Sequence, residues 1–127
     1  MNEVRKARGT AARLSGRQAE VRAALLLMVK GYRILGFRLK TAAAEIDLLA
    51  LRGKTLAVVE VKQRTDIALA LEAVSFDQRQ RLRRAGRLVA ARRPGLNDAV
   101  VRLDLIALAP RRWPRHIVDA WRFDDSR

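Results

Sequence analysis

The sequence predicts an α/β domain in which a central mixed sheet, containing an antiparallel hairpin, is flanked by helices. Three observations lead there. Two Ser-x-x-Gln capping patterns, Ser15 with Gln18 and Ser75 with Gln78, each precede a stretch of good helix formers. Short runs rich in Leu, Ile and Val, bounded by turn residues, read as strands. The patterns interleave as α-β-β-β-α-β, and no internal repeat, linker or low-complexity tract divides the chain. At 127 residues, half of them hydrophobic, the chain can bury a core without disulfides or a structural metal. The expected division is a flexible basic arm over residues 1–14 and one domain over 15–127.

The first helix runs from Ala19 to Lys30 and stops at Gly31, a natural C′ residue. Tyr32–Lys40 is a first strand weakened at Gly36, and Glu45–Leu51 and Leu56–Lys62 flank the turn Arg52–Thr55. Gly53 suits the first central position of a type II′ turn, which pairs Arg52 with Thr55. Counting back, Asp47 falls opposite Glu60, with Cβ atoms roughly 5 Å apart on one face. The helix opened by Ser75 ends at Pro94–Gly95, and Ala99–Ala109 is a further buried strand. The tail, with Trp113, Pro114, Ile117, Val118 and Trp121, is a last strand or a packed loop.

Twenty-seven basic residues against 13 acidic ones give a net charge of +14. A small protein this basic usually meets a polyanion, most often nucleic acid, although a high-GC genome also enriches arginine. Seven arginines lie between Arg79 and Arg93, around an inward stripe of Leu82, Ala85, Leu88 and Val89. Such a face can neutralise phosphates without reading bases. Few aromatics are available for stacking unpaired bases, which points to duplex or branched DNA. The apolar run Ala23–Val29 is too short to span a bilayer and lacks a cleavage site, so no membrane partner is expected. The cysteine-free composition suits a cytoplasmic location.

No phosphate-binding glycine loop occurs, and the single His116, in an Arg/Pro-rich tail, reads as a surface residue. With no cysteine and no useful histidine, any divalent metal must be oxygen-loving, Mg²⁺ or Mn²⁺. Glu60 and Lys62 share one strand face, and Asp47 shares a face with Leu49 and Leu51. Two acids beside an aliphatic core repel each other and are costly to desolvate. A bound cation removes both penalties; on residue types alone, ion pairs with Lys62 or nearby arginines account for the acids equally well.

An Asp, a hairpin spacer and then Glu-x-Lys in a hydrophobic strand resembles the PD-(D/E)XK nuclease motif. More closely, Gly31–Leu35, Glu45–Leu49 and Val59–Arg64 resemble the YraN-type uncharacterised bacterial family, over roughly Ser15 to Leu108. That family is similar to Holliday-junction resolvases and has the restriction-endonuclease-like fold. The resemblance implies that Asp47 and Glu60 are metal ligands and catalytic, that Lys62 is the catalytic amine, and that Glu20 completes the metal shell. It also matches Arg102-x-Asp104, expected to be structural, and resolvase-like enzymes act as homodimers. Arg64, Arg79, Arg83 and Arg87 are the expected nucleic-acid contacts. The chain departs from the family pattern at Ala44, at Gln63 and over Ile67–Ala70. Two readings follow: a Mg²⁺/Mn²⁺-dependent, structure-selective DNA endonuclease or a weakened relative, and a non-catalytic nucleic-acid-binding protein that keeps the fold.

Overall fold

The structure, a computed structural model, describes residues 14–126; of the arm expected over residues 1–14, all but Leu14 lies outside them. Helix α1 (Gly16–Val29) starts at the expected cap. Ser15 Oγ accepts the Gln18 amide at 3.1 Å, and Gln18 Oε1 accepts the Ser15 amide at 3.0 Å. Strands β1 (Arg33–Lys40), β2 (Glu45–Arg52) and β3 (Thr55–Gln63) follow. Next comes a six-residue helix α2 (Ile67–Glu72), in which Asp66 Oδ1 accepts the Ala68 amide at 2.7 Å. Six residues are too few to show a helical period, so this helix is not legible in the sequence. Helix α3 (Phe76–Arg92) is capped by Ser75. After it, β4 (Val100–Leu108) and a short β5 (Arg115–Ile117) show that the tail adds a strand.

The sheet order is β1-β2-β3-β4-β5, with only β3 and β4 parallel. This mixed α/β arrangement is the predicted one and is consistent with a restriction-endonuclease-like fold. The parallel pair needs a crossover, which α2 and α3 provide. The β2–β3 hairpin closes as counted: Gly53 takes φ +60° while Lys54 stays outside the left-handed region, and Arg52 pairs with Thr55.

Each face of the sheet buries its own core. Ala19, Ala23, Ala24 and Leu27 of α1 pack on Leu48, Ala50, Ala57, Val59, Ile106 and Leu108. On the opposite face Leu82, Ala85 and Val89 of α3 pack on Leu49, Leu56, Val58, Leu103 and Leu105. Gly86 sets how closely α3 approaches, because a Cβ there would stand 2.7 Å from methyl carbons of both Val58 and Val101.

Candidate active site

The β2–β3 ladder is regular from Arg52↔Thr55 to Leu48↔Val59 and ends there, one pair short of Asp47 and Glu60. The expected ladder pairing of these acids does not form. Instead the Asp47 carboxylate accepts the Val61 amide at 3.0 Å. Strand alternation breaks at the same residue: Leu48 and Ala50 belong to the α1-side core, whereas Ile46 belongs to the α3-side core. The backbone pairing stops where the acids stand, and the Asp47 side chain takes the Val61 amide there.

A groove of about 270 Å³ lies there, beside the start of α1. Glu20, Asp47, Lys62 and Arg64 line it, with Gly16 and Gln63 at its edge. Glu60 is 2 % exposed, and Lys62 Nζ stands 3.8 Å from its Oε2. Burial pushes the pKa of Glu60 up to about 8, reinforced by the neighbouring Asp47 charge and opposed by Lys62. Burial raises the pKa of Asp47 as well, against the Val61 hydrogen bond and the Lys62 charge. Burial therefore opposes ionisation of both carboxyls. A single amino group does not compensate the buried Glu60 and the half-buried Asp47.

Glu20 is brought to the same groove but is already engaged, since Arg38 Nε donates to its Oε1 at 2.9 Å. Arg38 takes φ +48°, which costs a non-glycine residue roughly 1–2 kcal/mol. The β1 register shift between Ile34 and Gly36 lies just before it, where the sequence reading expected a weak strand. Among the described residues, no group of three or more Asp, Glu, His or Cys is gathered closely enough to hold a metal. Asp47 and Glu60 are therefore the candidate ligand pair, with Glu20 held aside. Nothing in the sequence marked Arg38 as the partner of Glu20.

A second acidic position on the sheet is built in the opposite way. Asp104 is fully buried, and Arg102 grips it with Nε and Nη2, both at 2.8 Å. The Asp119 amide donates at 2.9 Å, and His116 Nε2 lies 2.8 Å from Oδ2. With Lys30 Nζ donating to Nδ1 of the same ring, Nε2 carries the hydrogen that Asp104 receives. Burial alone would raise the Asp104 pKa, but the bonds from His116, Arg102 and Asp119 outweigh it and the pKa is lowered. The structural role expected for Asp104 is thus visible. The surface reading of His116 is corrected: its side chain is 2 % exposed, enclosed because β5 pairs with β4 and places His116 opposite Ile106.

The arginine face of α3 also needs correction. Arg79 holds Asp124 through Nε at 2.7 Å and Nη2 at 2.9 Å, while Arg83 reaches Asp124 at 3.0 Å and the Trp121 carbonyl at 3.1 Å. One helical turn apart, these two arginines clamp the C-terminal turn (Arg122–Ser126) onto α3 and do not face outward. Arg84 and Arg87 remain exposed. Arg64 lines the acidic groove itself. No described helix is long and apolar enough to cross a membrane.

The chain matches the model of the uncharacterised protein family UPF0102 over residues 19–108, a span that contains Glu20, Asp47, Glu60, Lys62 and Asp104. A UPF0102 protein of Caulobacter sp. (strain K31) is 70 % identical over 117 residues, covering 92 % of this chain and 84 % of that protein. One of Parvibaculum lavamentivorans is 50 % identical over 116 residues, covering 91 % and 87 %. UPF0102 protein amb4503 of Paramagnetospirillum magneticum is 48 % identical over 118 residues, covering 90 % and 92 %.

Proposed function

The chain belongs to the uncharacterised protein family UPF0102, and from its acidic groove we propose that it is a metal-dependent DNA endonuclease, selective for duplex or branched structure. The observation that carries this reading is the Asp47–Glu60 pair. Asp47 lines the open groove and Glu60 is buried beside it, and desolvating both carboxyls with one amine near them is costly to the fold. Their chemistry suits a hard divalent cation. Mg²⁺ in particular is commonly held by one or two carboxylates, with water and substrate phosphate oxygens filling its shell. Bound there, Mg²⁺ or Mn²⁺ would supply Lewis-acid polarisation of the scissile phosphate.

The chain's own groups do the rest. Hydrolysis adds water across a P–O bond, and negative charge grows on the phosphate oxygens as it proceeds. Lys62, with a side chain 26 % exposed, can donate to those oxygens or orient the attacking water. Arg64 extends the cationic edge along a phosphate backbone. Asp47 stays oriented by its bond to the Val61 amide, and with Glu60 it would hold the cation.

The test is cleavage of end-labelled duplex, nicked and four-way DNA with Mn²⁺, alongside Lys62→Ala. Cleavage by the parent and none by the variant supports the reading. A parent that binds these DNAs without cutting them gives the function to a non-catalytic DNA-binding protein of the same fold.

A further inference from the structure

Helix α1 is apolar on two sides, and the sheet covers only one of them. Ala19, Ala23, Ala24 and Leu27 face the core, whereas Leu25 is 54 %, Met28 56 % and Val29 86 % exposed. A surface helix normally turns a polar face outward, so an uncovered apolar face implies something that covers it. The loop between β4 and β5 leans over that face. It places Trp113, 89 % exposed, and Pro114 across from Leu25 and Val29, and it holds Arg111 at φ +63°, a conformation unfavourable for a non-glycine residue. Between helix and loop runs a groove of about 500 Å³, within the range of sites that seat several side chains.

Among the described residues, the charged ones lining this groove are Arg22, Arg111 and Arg112, all cationic. That decides among occupants. A second copy joined through a two-fold interface would set this cationic patch against the same cationic patch, on a chain of net charge +14. Nucleic acid would suit the arginines but not the Leu25–Val29 wall, and one tryptophan is a poor stacking platform. A polypeptide carrying apolar residues flanked by carboxylates satisfies both wall and rim. We propose that the groove between α1 and the β4–β5 loop docks an acidic amphipathic segment of a partner protein. Its apolar side chains lie on Leu25, Val29 and Trp113, and its carboxylates pair with Arg22, Arg111 and Arg112. This surface is independent of the nuclease reading.

The experiment is selection of 12-residue peptides displayed on phage, panned in parallel against the full chain and against Leu25→Asp/Trp113→Ala. The residues changed are exposed, and circular dichroism checks that the variant is folded. The expected peptides place apolar residues three or four apart with Asp or Glu beside them, and they are not recovered on the variant. The consensus peptide, labelled for fluorescence polarisation, should lose affinity about tenfold or more with Trp113→Ala, and likewise with Arg111→Glu/Arg112→Glu. Recovery of basic peptides, or equal recovery on parent and variant, overturns the proposal. So does a concentration-dependent dimer abolished by Leu25→Asp, or a stronger Trp113 fluorescence response to twelve-base oligo-dT or phosphatidylglycerol vesicles than to the consensus peptide.

Discussion

Asp104 and the Asp47–Glu60 pair sit on one sheet and face opposite fates. Asp104 receives hydrogen bonds from Arg102, His116 and the Asp119 amide, and its pKa is lowered. Asp47 and Glu60 have each other, one peptide amide at Asp47 and a lysine 3.8 Å from Glu60, and both pKa values are raised. Burial opposes ionisation at both places; the number of donors decides the sign. A carboxylate saturated by the protein holds the fold together. One that the protein leaves short of positive charge is available to something else.

The largest expected contrast is in catalysis. Lys62→Ala or Asp47→Asn should lower DNA cleavage by about two to three orders of magnitude in protein that is still folded. Loss of activity that tracks loss of folded protein would break the distinction. Asp104→Asn should do the reverse. Removing one charge from a buried, gripped network costs about 3 kcal/mol, so urea titration should show that loss, while the folded fraction cuts DNA at the parent rate.

Titration sharpens the comparison. For Glu60 the folded pKa, about 8, lies above the ordinary 4.5, so between these values the folded state binds more protons than the unfolded one. Metal-free stability should therefore fall as pH rises from about 4.5 to 8, and Glu60→Gln should flatten that slope. Asp104 acts the other way: its contribution is present above the ordinary carboxylate pKa of 3.8 and is lost as pH falls through its lowered value. A Glu60→Gln profile matching the parent would contradict the account. The smallest effects belong to α3. Arg84→Ala/Arg87→Ala should reduce the log–log salt slope of DNA binding by nearly one for each lost phosphate contact, whereas Arg79→Ala should loosen the C-terminal turn.

Helices with side-chain caps, and strands bounded by Gly53 and Gly31, were legible because each signal is local. The hairpin register was legible as far as Leu48↔Val59 for the same reason. Beyond that point the backbone pairing stops, and nothing within a few residues of Asp47 announces it. His116, Arg38 and Arg79 were misread or missed because their partners lie 12, 18 and 45 positions away, at Asp104, Glu20 and Asp124. A charge run can be read from sequence; whether a distant carboxylate claims its members cannot.

The most direct measurement is calorimetric titration of Mn²⁺ into the full-length chain and into Asp47→Asn, Glu60→Gln and Asp104→Asn. If the under-compensated pair is the cation site, the parent and folded Asp104→Asn bind Mn²⁺ alike, and the other two lose at least about tenfold in affinity. Binding by Asp47→Asn and Glu60→Gln equal to that of the parent would contradict it.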